Sequence, residues 1–155
     1  MRYRERLSAP LLWWVIGLAF GLTFVIAVGA ILPPEAGVAA LVVALALVGG
    51  VLLGLAPVVA VTDDAVLAAR ARLPLADVGS VTVLDAGQVR NRIGVAADPR
   101  AYLVYRAYCD GAVEIEVTDA ADPHPYWLVS SRDPGTFAAA IDGTRAARAN
   151  HAQEA

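Results

Sequence analysis

The chain has no lysine, a single cysteine and only two histidines among its 155 residues. Each scarcity removes a class of chemistry. One cysteine, Cys109, can build neither a disulfide framework nor a thiolate metal site. His124 lies between two prolines in a loop and His151 lies in a polar tail, so neither reads as a positioned base. Cys109 falls in a turn sequence with no histidine near it, so it does not read as a nucleophile. The sequence contains no GxGxxG, P-loop, HExxH or GxSxG signature. The pairs Asp63-Asp64 and Asp119/Asp122 sit in turn sequence, where Asp serves the local backbone. The expectation is a protein without catalytic residues, resident metal or cofactor. All twelve basic residues are arginine, and the net charge is −3. That is not the electrostatic footprint of a nucleic-acid binder.

Charge is also missing locally. From Leu11 to Leu32, and again from Val38 to Ala56, there is no ionisable residue. As helices these runs are roughly 33 Å and 28 Å long, against a bilayer core of roughly 30 Å. Thirteen residues of the first run are Leu, Ile, Val or Phe, worth about −4 to −8 kcal/mol of insertion free energy before the Gly and Thr costs. The basic head Arg2, Arg4, Arg6 and the small residues Val28-Gly29-Ala30 give the first run some look of a signal peptide. Its length exceeds the roughly 7–15 residues of a signal core, and a second run follows across Pro33-Pro34-Glu35-Ala36-Gly37. The reading is a transmembrane helical hairpin.

Arginine placement sets the expected orientation. Arg2, Arg4 and Arg6 precede the hairpin, Arg70 and Arg72 follow it, and the central turn carries only Glu35. Both termini are expected in the cytoplasm of a multi-pass plasma-membrane protein. Gly17 and Gly21 form one GxxxG, and Gly50 and Gly54 another. With a turn near Glu35, paired positions sum to about 70, which puts Gly17 opposite position 53 and Gly21 opposite position 49.

The organisation expected is a basic lead over residues 1–10, spans at 11–32 and 38–56, a cytoplasmic β-domain over 57–148 and a flexible tail at 149–155. After Pro57 the hydrophobic period shortens to that of strands. Strands are expected at Val58–Val61, Val66–Ala71, Ser80–Asp85, Ala101–Tyr108, Ala112–Thr118 and Tyr126–Ser130. Ala86–Pro99 reads as a loop carrying Arg90 and Arg92, and Cys109-Asp110-Gly111 as a hairpin turn. Asp133 and Pro134 open a final helix as N-cap and first helical residue, with Phe137 and Ile141 on its core face. Val113, Ile115 and Val117 are expected in the core, and the fragment from Asp63 to Ala155 is expected to fold alone.

This layout of two apolar helices, antiparallel strands and one closing helix resembles small bacterial membrane proteins with a pleckstrin-homology-like domain. More specific are Asp98–Tyr102 (DPRAY), Arg106, Asp122–Pro134 (DPHPYWLVSSRDP) and the opening YRERL…PLLWW. These resemble the actinobacterial domain-of-unknown-function family 3093, whose members span nearly this length. The resemblance implies an architecture, a membrane α+β protein, and carries no activity.

The aromatics Tyr102, Tyr105, Tyr108, Tyr126 and Trp127 stand out in the β-domain. They fit core packing. They also fit a groove for a peptide or lipid headgroup, rimmed by Arg90, Arg92, Arg100 or Arg106, with Tyr126-Trp127 as partner-facing residues. The function expected is a membrane-anchored interaction or scaffold domain, whose partners are the lipid bilayer and an unidentified protein or a second copy. The alternative is an accessory subunit of a membrane enzyme or transporter that works through the glycine faces.

Overall fold

The computed structural model describes residues 2–31, 33–54 and 56–153. It forms two compact units: Ser8–Ala56 is one, and Met1–Leu7 together with Pro57–Ala155 is the other.

The first unit is an antiparallel helix pair, α1 (Leu11–Gly29) and α2 (Pro34–Gly54). Both are long and apolar enough to cross a membrane, and none of their apolar windows is buried within the chain. Pro10 stands at the N-cap of α1. Thr23, the hydroxyl-bearing residue of α1, donates to the Ala19 carbonyl at 2.9 Å and is satisfied inside its own helix. The turn differs from expectation. Pro34 begins α2, because a proline fits the first helical position, where its missing N–H costs nothing. The turn is therefore shorter than Pro33–Gly37, and α2 starts before Val38 and ends at Gly54. Leu32 and Leu55, inside the expected runs, lie outside the described residues.

The earlier turn shifts the helix register. A Cβ placed on Gly17 would stand 2.9 Å from Val48 Cγ1, and one on Gly21 would stand 3.4 Å from Ala44 Cβ. Gly17 and Gly21 do carry the close approach. Their opposite numbers are Val48 and Ala44, not positions 53 and 49. A Cβ placed on Gly50 or Gly54 would meet nothing within 4 Å among the described residues, so the close approach does not run through them.

Among its described residues the second unit holds two four-stranded sheets and two α-helices. One sheet runs β1 (Tyr3–Arg6), β2 (Val58–Val61), β3 (Ala65–Ala68), β4 (Ala71–Pro74), every neighbour antiparallel. A 3₁₀ turn at Leu75–Asp77 leads to the other sheet. Its strands in chain order are β5 (Val78–Leu84), β6 (Tyr102–Val104), β7 (Gly111–Val117) and β8 (Tyr126–Ser131), and they lie side by side as β5-β7-β8-β6. Helix α3 (Ala86–Ile93) follows β5, and α4 (Pro134–Gln153) follows β8.

The chief surprise is β1. The expected basic lead is a strand, and its partner begins beyond the whole helix pair. Tyr3 pairs with Val61 and Arg6 with Val58, and Leu7 N–H donates to the Pro57 carbonyl at 3.0 Å. Alternation explains why YRER can serve. Tyr3 and Glu5 turn inward while Arg4 and Arg6 stay exposed.

Three further differences matter. The expected strand Val66–Ala71 is two strands, β3 and β4, joined by a tight turn at Ala69-Arg70, where Ala69 takes φ 57°. Pro74 is tolerated because it ends an edge strand. Strand β6 covers only three residues and pairs with β8 in parallel, so the second sheet is mixed. Cys109-Asp110-Gly111 is therefore no hairpin turn, since β7 pairs with β5 and β8 instead. Helix α4 continues to Gln153, past the expected tail boundary at 149. Residues 154–155 and the side chain of His151 lie outside the described residues.

The core lies where expected. Val113, Ile115, Phe137 and Ile141 are fully buried with Leu7, Val59, Val61, Val66 and Val129, and Val117 is half-buried against them. Asp133 caps α4 by accepting from Thr136 N–H at 3.0 Å. Phenol hydroxyls join the sheets: Tyr102 donates to the Ala68 carbonyl at 3.1 Å, and Tyr108 to the Leu7 carbonyl at 2.6 Å. At Gly111 a side chain has no room, because a Cβ would stand 2.9 Å from Pro134 Cγ at the start of α4.

Candidate functional site

Helix α3 places the arginines expected to rim a groove. Asp85 accepts from Gly87 N–H and Gln88 N–H at 2.8 and 2.9 Å, and the Gln88 side chain accepts from Asp85 N–H at 2.9 Å. This reciprocal cap starts a helix in what reads as a loop. Val89 then packs beneath it with Ala112, Tyr126 and Leu128. One turn on, Arg92 reaches Glu114 of β7 with both Nε and Nη2, at 2.5 and 2.9 Å. Its guanidinium carbon sits 4.2 Å from the Tyr126 ring centroid. The bonds to Glu114 raise the Arg92 pKa further above its ordinary value. A bidentate, half-buried pair over an aromatic face fastens α3 to the sheet. Arg92 is thus committed to holding α3 on the sheet, with a third of its side chain left exposed.

Tyr126 and Trp127 also leave that surface. They are 7% and 2% exposed in the middle of β8. Adjacent strand residues point to opposite faces, and here both faces are covered: Tyr126 packs under α3 and Trp127 in the core between the sheets. The Trp127 ring lies 4.7 Å from that of Tyr102. The Tyr126 hydroxyl and Trp127 Nε1 are buried without a hydrogen-bond partner. Arg106 is half-buried, donating from Nη1 to the Tyr105 carbonyl at 2.7 Å and from its backbone N–H to Ser130 Oγ at 3.0 Å. Cys109 is buried, and desolvation pushes its thiol pKa up, which keeps it a poor nucleophile.

Two of the expected surface residues remain at the surface. Arg90 is exposed on α3. Arg100 is exposed and forms a local fork with Asp98, whose carboxyl is held below its usual range chiefly by that side-chain hydrogen bond. His124 Nδ1–H donates to the Arg100 carbonyl at 2.6 Å, so the histidine braces this loop. Between the two arginines, Val95 is 98% exposed, and just beyond them Leu103 is 49% exposed on the edge strand β6. The segment 90–103 thus combines exposed arginines with exposed aliphatic side chains.

A second constellation has no counterpart in the sequence reading. Glu5 Oε2 accepts from Ser131 Oγ at 2.7 Å and from the Tyr3 hydroxyl at 2.9 Å, and Glu5 Oε1 accepts from Arg132 N–H at 3.1 Å. Ser131 Oγ in turn accepts from Asp133 N–H at 3.1 Å. The Tyr3 ring stacks on Phe137 at 5.3 Å. Period-two alternation in residues 2–6 was the available signal. Ser131 is fully buried, so this is a clasp between β1 and the start of α4 and not an open site. Among the described residues, no three His, Cys, Asp or Glu side chains gather closely enough to hold a metal ion.

A family described as "Protein of unknown function (DUF3093)" matches residues 2–141. No curated protein and no solved structure matches the chain.

Proposed function

The chain belongs to the DUF3093 family, and from that premise we propose that it is a membrane-anchored interaction domain at the inner face of the plasma membrane. The observation that carries this reading is the pairing of β1 with β2. The strand before the apolar helix pair and the strand after it are neighbours in one sheet. Two spans return the chain to the side from which it left, and the pairing fits that path. The flanking arginines favour the cytoplasmic side for both ends. Two four-stranded sheets with a C-terminal helix against them support a pleckstrin-homology-like description of the domain.

The partner surface in this reading is the segment 90–103. Arg90, Val95, Arg100 and Leu103 offer charge and apolar area together, the mixture found at protein interfaces. The partner is another protein or a second copy. Crosslinking from Val95→Cys in native membranes, followed by identification of the adduct, tests this. A specific protein adduct that Arg90→Ala/Leu103→Ser weakens supports the reading. No adduct at that position, with the domain folded, removes the segment.

A second reading, an accessory subunit of a membrane enzyme or transporter, is favoured by one feature. Gly50 and Gly54 on α2 face open space and leave a smooth strip that another helix could approach closely. Loss of complex assembly in Gly50→Leu, with segment 90–103 variants unaffected, favours it over the first.

A further inference from the structure

The edge strands of the two sheets are β1, β4, β5 and β6. An open edge is a template for another strand, and folded chains blunt it with charge, proline or shortness. Three of these edges are blunted. Strand β1 is YRER, β4 carries exposed Arg72 and ends at Pro74, and β6 has three residues. Strand β5 has seven residues, VGSVTVL, without charge or proline. Its first half is engaged: Arg145 Nη1 donates to the Gly79 carbonyl at 2.8 Å, and Ser80 N–H donates to Glu116 at 3.0 Å. From Val81 to Leu84 the pairing with β7 is regular. Strand β7 fixes which groups of this stretch face outward. Val117 N–H donates to the Pro125 carbonyl on the β8 side, and Thr118 N–H to the Asp77 carbonyl on the β5 side. Successive residues of an antiparallel strand bond to opposite neighbours. Glu114 and Ala112 therefore bond to their partners Thr82 and Leu84. The backbone N–H and C=O groups of Val81 and Val83 point away from β7, to the open edge. Val83 shares a face with its fully buried partner Val113, yet is 46% exposed. The apolar layer of the core runs out to this edge uncovered.

We propose that β5 pairs antiparallel with β5 of a second copy of this chain, about a two-fold axis at Thr82, so that two four-stranded sheets join edge to edge. Self-complementarity chooses the occupant. Outward-bonding residues must meet outward-bonding residues for the ladder to form. With Thr82 opposite Thr82 of the second copy, Val81 falls opposite Val83 and Val83 opposite Val81, and each of these pairs exchanges both backbone bonds. Valine then lies beside valine on the core face and threonine beside threonine on the other, cross-strand pairs that stabilise a sheet. The stretch from Val81 to Leu84 carries no charge, so two copies bring no like charges together. The same patch serves on both chains, and such a contact closes at two copies. Leu103 lies on β6, the opposite edge of the sheet, so the contact is separate from the one proposed for segment 90–103.

The test uses the full chain in detergent micelles. Thr82→Cys places two thiols at a non-hydrogen-bonded pair, with Cα atoms about 4.5 Å apart, inside the roughly 4.4–6.8 Å that a disulfide spans. Mild oxidation should link the two copies. In Ser80→Cys the two positions stand about 13 Å apart along the paired strands, and no link should form. The chain's own Cys109 is buried and does not compete. Light scattering of the unoxidised chain should show two copies per particle. Val83→Lys puts a charge on the edge and should weaken association by about tenfold or more. Its thermal unfolding shows whether the domain stays intact; if it does not, the comparison of Thr82→Cys with Ser80→Cys decides alone. One copy per particle at every concentration, with no link at Thr82→Cys, overturns the proposal. Equal linking at positions 80 and 82 also overturns it, because chance collision or another register then joins the chains. So does a dimer that a folded Val83→Lys leaves intact, because another surface then holds it.

Discussion

Ser131, the last residue of β8, donates its hydroxyl to Glu5 of β1 at 2.7 Å, across 126 positions of sequence. The same carboxylate takes Tyr3 and the Arg132 backbone, so it ties the N-terminal strand to the start of α4. Charge-assisted bonds of this kind contribute about 1.5–3 kcal/mol. Glu5→Ala should lower unfolding free energy by about 2–3 kcal/mol, since it also strands buried Ser131. Glu5→Gln should cost less, because an amide oxygen still accepts. Denaturant unfolding of the detergent-solubilised chain measures both.

The clasp also predicts behaviour at high pH. Burial foremost, with the Glu5 contact adding, pushes the Tyr3 phenol from 10.0 up to about 12. Between those values an unfolded chain has released the proton and the folded chain keeps it. Stability is therefore fully present below pH 10 and is lost as pH rises toward 12. Tyr3→Phe should remove that part of the alkaline loss while keeping the ring on Phe137. Unfolding midpoints compared across this range decide it. The acid limb has other sources. Asp133 is held below its usual range by Thr136, hydroxyl first and backbone second, and Glu116 by Ser80, backbone first. Their contributions are present above the ordinary carboxylate range and fade as pH falls through the depressed values.

Arg90 and Arg92 should separate cleanly. Arg92→Ala breaks the fork to Glu114 and uncovers Tyr126, so a loss of about 1–3 kcal/mol and a lower melting temperature are expected. Arg90→Ala should leave melting unchanged. Arg92→Lys keeps the charge but not the two-pronged geometry, and should fall between. Thermal unfolding of the three variants is sufficient.

What the sequence disclosed follows a physical line. Long uncharged runs announce the helix pair, and alternation announces β7 and β8. Strand β1 stayed hidden because four charged or aromatic residues carry little strand signal and their partner lies more than fifty positions on. Helix α3 stayed hidden behind Gly87, Asn91 and Gly94, which read as loop residues; Asp85 with Gln88 three positions later was the capping pattern that outweighed them. Tyr126 and Trp127 fitted core packing and a partner-facing groove alike, because one strand face of a small sheet usually meets solvent. Here α3 covers that face, so the site assigned to them moves to the neighbouring segment 90–103.

In the helix pair, Gly17→Leu should weaken packing, because even a Cβ there meets Val48 at 2.9 Å. Gly50→Leu should be tolerated in the isolated chain, where nothing faces it. Resistance to thermal unfolding in detergent, compared between the two, checks the register that Val48 and Ala44 define.

The bond from Leu7 N–H to the Pro57 carbonyl makes another prediction. Replacing residues 8–56 by a short Gly- and Asn-containing turn should give a water-soluble β-domain with both sheets, since those ends already stand as in a hairpin. The fragment from Asp63 onward should not fold stably, because it lacks β1 and β2 and with them fully buried Leu7, Val59 and Val61. Circular dichroism and cooperative melting distinguish the two.

The pairing of Tyr3 with Val61 also sets an order of events during synthesis. At about 5–20 residues per second the ribosome needs roughly 3–12 s between these strands. For that interval β1 waits without its neighbour. In the membrane placement proposed above, a chain of which only one helix crosses leaves β1 and β2 on opposite sides of the bilayer, and the sheet cannot close. In that placement a folded β-domain excludes a single crossing, and a chain stalled after one carries unpaired strands by which quality control can know it.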